Sequence, residues 1–182
     1  MHRHTARLIA MLVPALLLAY AVARWADGRD GSHGPGAAWD VGHVAFLGAF
    51  AGFGLLTFAL WRPSANRIGA TFAATASFLG VLLFCWVILT DLLPALDRRA
   101  SLPDLVMAVG PPLFIAGFVA LLAIHCRQAC VPRWWLPPML ALIALALVGA
   151  NLDLLPATAA LLALSLWIIP VPESREHIEV GG

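Results

Sequence analysis

The sequence contains no lysine, a single tyrosine and three cysteines, and charged residues make up only 12% of its 182 positions. A soluble domain carries about a quarter charged residues. With 62% apolar residues and a mean hydropathy of +0.89, this chain lacks the polar surface that a water-soluble fold needs. Cys85, Cys126 and Cys130 are odd in number and lack the spacing of a disulfide framework, which excludes a stapled scaffold. A net charge of +1, with no basic run and no basic aromatic stripe, excludes nucleic acid as a partner. All eleven basic residues are arginine. Together with the richness in Ala and Leu, this fits a GC-rich coding sequence rather than a functional choice.

No charge falls in the middle of any apolar stretch, so a proton relay, an ion-coupled carrier or a voltage sensor has nothing to run on. The Ser-x-x-Lys, Gly-x-Ser-x-Gly and His-Glu-x-x-His motifs are missing. His43 and His125 fall on opposite membrane sides and cannot grip a haem between them. The expectation is therefore no cofactor and no resident metal.

What the sequence does have is apolar stretches of about 20 residues, the length that crosses a hydrocarbon layer of ~30 Å. They predict an all-α, polytopic transmembrane helix bundle forming a single membrane domain over residues 1–182. Its six spans lie at about 8–24, 42–61, 68–90, 104–125, 134–150 and 154–170, followed by a polar tail at 171–182. The last two spans come from dividing 134–171, which as one helix would run about 57 Å at 1.5 Å per residue. Asn151-Leu-Asp153, with Pro156 following, marks the division. The first stretch, Leu8 to Ala23, also reads as a signal peptide, with Ala19, Ala21 and Ala23 resembling a cleavage site. A retained helix is favoured because the rest of the chain is itself polytopic; cleavage would leave five spans. Gly, Pro and Asp in residues 24–41 predict a loop, and Pro111-Pro112 predicts a kink in the fourth span.

Charge placement orients the bundle. With both termini cytoplasmic, seven arginines (3, 7, 62, 67, 127, 133 and 175) fall inside and four (24, 29, 98 and 99) outside, the bias expected of cytoplasmic loops. All seven aspartates then fall outside and all three glutamates inside. Six of the seven tryptophans sit near predicted span ends, as an interfacial aromatic belt requires. A plasma-membrane location follows, with the lipid bilayer as the first partner.

The constellation with the most chemical content is at the outer face, where His43, Asp91 and Asp153 form a candidate catalytic group. Asp40, Phe50 and Asn151 are the candidate binding residues around them. Ionisable groups at this depth cost free energy unless they face a cavity or each other. An imidazole beside carboxylates can act as acid or base. His43 shares a helical face with Phe46 or Leu47, Phe50 and Gly54, so a pocket there would be apolar below and polar on top, suiting an amphiphilic substrate. The alternative is ordinary interface and capping duty, with Asp40 capping the second helix and Asp153 the sixth. A second, inner cluster of His125, Cys126 and Cys130, joined by His2, His4 and His177, has metal-ligand types but no second spaced pair, and reads as loop residues at a helix end. Gly48-Ala-Phe-Ala-Gly52 permits close helix approach, and the stripe Ala70, Ala74, Ser77 and Gly80 is expected to face it.

In Ala38-Trp39-Asp40-Val41-Gly42-His43, the helix ending in Trp61-Arg62, and Pro132-Arg133-Trp134-Trp135, the chain resembles a loose group of small uncharacterised six-span bacterial integral membrane proteins. The resemblance covers residues 38–170 and implies a multi-pass bundle, and it brings no known activity to carry over. The leading functional expectation is an accessory, immunity or assembly factor acting through a membrane-protein or lipid partner. One alternative is an intramembrane enzyme acting on a lipid or isoprenoid at the outer face, with His43 as acid or base. The other is a small-molecule or metal-ion permease that concentrates cations at its acidic mouth.

Overall fold

The computed structural model describes residues 3–28, 34–100 and 103–128, and every regular element among them is helical. Four helices of 25 residues dominate: α1 (Arg3–Asp27), α2 (Ala37–Trp61), α3 (Ile68–Leu92) and α5 (Asp104–Gln128). A 3-10 turn, Arg62–Ser64, joins α2 to α3, and the seven-residue α4 (Pro94–Ala100) lies between α3 and α5. At 1.5 Å per residue a 25-residue helix is about 37 Å long, enough to cross a ~30 Å hydrocarbon layer. Among the described residues, three stretches are both long and apolar enough to do so, Ala37–Ser64, Ile68–Leu92 and Ala108–His125, and α1 is not one of them. The expected fifth and sixth spans and the polar tail lie outside the described residues.

Several boundaries differ from the sequence reading, beginning with α1, which runs Arg3–Asp27 rather than 8–24 and takes residues 24–27 out of the expected loop. Helix α2 starts at Ala37, so Trp39, Asp40 and Val41 belong to its first turns rather than to a loop. The Gly34-Pro35-Gly36 breaker ends immediately before it, and Ala37-Ala38 are strong helix formers. Helix α4 also occupies what reads as a connecting loop, because Pro94 at its first position loses no helical hydrogen bond. Helix α5 runs through Pro111 and Pro112 without a break.

The long helices alternate in direction. Along α1 and α2 the contacts run Ala23–Gly42, Leu16–Gly48 and Val13–Gly52, so one numbering rises as the other falls. Thr57–Ser77 and His43–Asp91 give the same antiparallel register for α2 and α3, and Leu83–Gly110 and Gly80–Phe114 give it for α3 and α5. One end of the bundle therefore gathers the end of α1, the start of α2 and the end of α3. The other gathers the 62–67 turn and the end of α5.

The two small-residue stripes do not face each other. Gly48 and Gly52 lie under Leu16 and Val13 of α1, while Gly80 lies against the backbone of Phe114 and Gly117 against that of Ser77. Each stripe thus receives a different neighbour. Helix α2 takes branched side chains from α1 into its glycine notches, and α3 meets α5 backbone to backbone.

A column of aromatic rings fills the space between α2, α3 and α5. Phe50 lies 4.1 Å from Phe84 and 5.3 Å from Phe114 between centroids, and Phe53 lies 5.0 Å from Phe114 and 5.3 Å from Phe118. The last three separations fall in the range where aromatic pairs add about 0.5–1.5 kcal/mol beyond area burial. Outward-pointing Val44, Leu55, Phe72 and Leu82 of α2 and α3 are exposed, as side chains facing lipid rather than water should be. Within this apolar interior Thr57 and Ser77, both fully buried, share a hydrogen bond of 2.9 Å that satisfies each hydroxyl across α2 and α3.

Candidate functional site

The site forms where α1 ends, α2 begins and α3 ends. His43 lies one turn after Trp39, and its ring folds back so that Nδ1 stands 2.9 Å from the Trp39 carbonyl oxygen. The two rings are 4.0 Å apart between centroids. From α1, Tyr20 sets its ring edge-on to His43, at 6.0 Å and 83°, and stacks on Phe46 at 4.2 Å. Arg24, one turn beyond Tyr20, lays its guanidinium over the Trp39 ring at 5.0 Å and approaches Asp27 at 4.0 Å. From α3, Asp91 brings Oδ2 to 3.5 Å from His43 Nε2. The His43 side chain is only 5% exposed and that of Asp91 44%, so the carboxylate is the half of the pair that solvent or a ligand meets.

This geometry assigns the protons. A carbonyl oxygen only accepts, so His43 Nδ1 carries a hydrogen and donates it to Trp39. In a neutral ring Nε2 is then a bare acceptor, and a bare acceptor facing an ionised carboxylate is repelled. The contact is attractive only with a proton between the two groups, as imidazolium with carboxylate or as imidazole with carboxylic acid. His43 and Asp91 thus form a proton-sharing pair that ties α2 to α3. With Nδ1 engaged and the ring buried, Asp91 is the member of the pair that reaches solvent.

The other residues read from the sequence have different surroundings. Asp40 lies exposed in the first turn of α2; the N-cap is Gly36, whose carbonyl accepts from the Asp40 backbone N–H at 2.9 Å, so Asp40 is not the cap. Its carboxylate complements the positive end of the helix instead. Phe50 is buried, 2% exposed, inside the aromatic column one ring below Phe46. Asn151 and Asp153 lie outside the described residues, as do Cys130, His2 and His177 of the inner cluster.

Sequence reasoning missed Tyr20 and Arg24. The signal was available: Tyr20 is the only tyrosine, Arg24 follows at i+4, and together they put a polar stripe just beyond the apolar stretch 8–19 of α1. What the sequence could not give was the packing of α1 on α2 that brings this stripe over His43. Among the described residues, no three His, Cys, Asp or Glu side chains cluster as a metal site would require. No family model matches the chain, and neither a curated protein nor a solved structure matches it.

Proposed function

We propose that the protein is a small multi-pass protein of the bacterial plasma membrane, acting as an accessory, immunity or assembly factor through a protein or lipid partner. The observation carrying this reading is the engagement of His43. Both ring nitrogens of the buried imidazole are taken up by the chain itself, one by Trp39 and one by Asp91. The polar chemistry at this end is used mainly to hold three helices together. What it offers outward is acidic recognition, through half-exposed Asp91, exposed Asp40 in the first turn of α2 and exposed Asp97 in α4. The arginine bias of the connecting segments supports placing this acidic end outside and the 62–67 turn in the cytoplasm.

Photo-crosslinking groups placed at Leu93 and Ala95 of the full chain, in its native membrane, test the proposal. A discrete protein adduct or one retained lipid species is expected, lost on Asp40→Asn with Asp91→Asn. Diffuse labelling unaffected by these changes would contradict it.

The 3.5 Å contact of His43 with Asp91 favours a second reading, an intramembrane enzyme for a lipid or isoprenoid substrate. In it Asp91 meets the substrate and His43 supplies or stores the proton. Asp91→Asn would then change the membrane lipid profile as deletion of the protein does, whereas an accessory factor leaves lipid composition unchanged.

A further inference from the structure

Glycine locks the long helices into two pairs. Val13 and Ala23 of α1 seat against Gly52 and Gly42 of α2, and α3 meets α5 backbone to backbone at Gly80 and Gly117. The boundary between the pairs is looser, since even a Cβ at Gly54 of α2 would stand 3.6 Å from Val81 of α3, an ordinary contact. What joins α2 to α3 also changes in kind along their length. Toward the 62–67 turn the links are neutral: Thr57 with Ser77 at 2.9 Å, and Trp61 Nε1 donating to Thr71 Oγ1 at 3.2 Å. Midway, Phe50 packs on Phe84 at 4.1 Å. At the far end the link is ionisable, His43 Nε2 with Asp91 Oδ2 at 3.5 Å. No Asp, Glu, His or Arg occurs from Val44 to Trp61 or from Ile68 to Thr90, so this boundary carries its charge at one end.

That end responds to a proton. With Nδ1 committed to the Trp39 carbonyl, a ring that loses its other proton turns a bare Nε2 toward a carboxylate, and two acceptors repel. Asp91 is 44% exposed, so its carboxylate can turn to solvent once the attraction is gone. We propose that the His43–Asp91 pair is a proton-controlled latch: protonated, it closes the ends of α2 and α3; deprotonated, it lets them part as far as the Phe50–Phe84 contact. Asp91 lies seven residues from Phe84, so the parting spans about two turns. The closed form binds the extra proton, so protons favour closure, which is present on the acid side and lost as pH rises. The charged and titratable neighbours are Tyr20, Arg24 and Asp27 of α1, Asp40 of α2 and Asp97 of α4, and α5 begins at Asp104 on the same end. Among these side-chain types, imidazole is the one that ordinarily changes charge between about pH 5 and 8. The latch uses the same engagement of His43 as the functional reading above but needs no partner.

The full-length protein tests this in phosphatidylcholine nanodiscs with no partner present, so the result stands apart from the crosslinking outcome. Cys85, Cys126 and Cys130 are replaced by alanine, and spin labels are placed at exposed positions. Labels at Val41 and Leu93 read the His43 end, and labels at Phe58 and Ile68 read the other. As pH rises from about 5 to about 9, across the ~6.5 of a free imidazole, the Val41–Leu93 distance should lengthen reversibly. The Phe58–Ile68 distance should stay constant, which also verifies that each variant is folded. In Asp91→Asn the amide donates to the neutral ring, so the Val41–Leu93 distance should stay short throughout. Tyr20→Phe should respond as the wild type does. A wild-type distance that ignores pH, an equal lengthening in Asp91→Asn, or a parting at both ends would overturn the proposal.

Discussion

Asp91 Oδ2 and His43 Nε2 face each other at 3.5 Å across α2 and α3, and the Trp39 carbonyl on the far side of the ring determines what that contact means. With Nδ1 committed as a donor, the two groups attract only while they hold a proton between them. The pair is therefore a joint between helices whose strength depends on one proton.

Nitrogen NMR of histidine-labelled full-length protein in bilayers checks this directly. His43 Nδ1 should be protonated in the wild type, with Nε2 either protonated or hydrogen-bonded to an Asp91 carboxylic acid. In Asp91→Asn the side-chain amide can donate to Nε2, so the ring should become the neutral tautomer with hydrogen on Nδ1. A wild-type ring with hydrogen on Nε2 and a bare Nδ1 would contradict the assignment.

The close approach of α3 and α5 gives a sharper mutational prediction. A Cβ at Gly80 would meet the backbone nitrogen of Phe114, and one at Gly117 the backbone nitrogen of Ser77, so neither clash is relieved by rotating a side chain. Gly80→Ala and Gly117→Ala should each destabilise the protein by about 1–3 kcal/mol, the range for overpacking. Gly54→Ala makes only ordinary contact, 3.6 Å from Val81 Cγ1, and should be tolerated. Denaturant or thermal unfolding in one detergent compares the three variants, and equal stability of Gly80→Ala and Gly54→Ala would refute this packing.

The helical, membrane-spanning character of the chain was legible because hydropathy acts locally: α2, α3 and α5 fall where their apolar stretches lie. That His43 and Asp91 lie at one depth was legible for a related reason, though not that they touch. One short turn forces α2 and α3 antiparallel, so residues near the far ends of the two helices reach the same depth. The partners of the glycine stripes were not legible, since a notch such as Gly48–Gly52 fits any neighbouring helix and the sequence does not name the neighbour. Tyr20 and Arg24 were hidden for the same reason. The surroundings of His43 depend on the rotation of α1 about its own axis, which the Val13–Gly52 and Ala23–Gly42 contacts set and hydropathy does not.

The Thr57–Ser77 bond, 2.9 Å and fully buried, should contribute modestly despite its setting. Interhelical hydrogen bonds in membrane bundles average about 0.6 kcal/mol and reach ~1.7, because the separated helices also find partners. A double-mutant cycle with Thr57→Val and Ser77→Ala should return a coupling in that range. A coupling near zero would mean that shape alone holds α2 against α3 there.

Phe114 should be the most sensitive of the aromatic positions. It is 1% exposed and packs on Phe50, Phe53, Phe84 and Phe118, so truncation removes contacts on several sides at once. Transfer from water contributes little here, because the separated helix would sit in lipid; the cost comes from the void and the lost dispersion contacts. At ~24 cal/mol per Å³ of cavity, a void of roughly 100 Å³ corresponds to about 2 kcal/mol. Phe72→Ala removes the same ring from a position that is 73% exposed, where lipid refills the space, and should cost far less. Unfolding of the two variants side by side in bicelles decides the matter. Equal losses would mean that Phe72 is covered by another part of the protein or by a partner, and would move the search for that partner to the outer surface of α3.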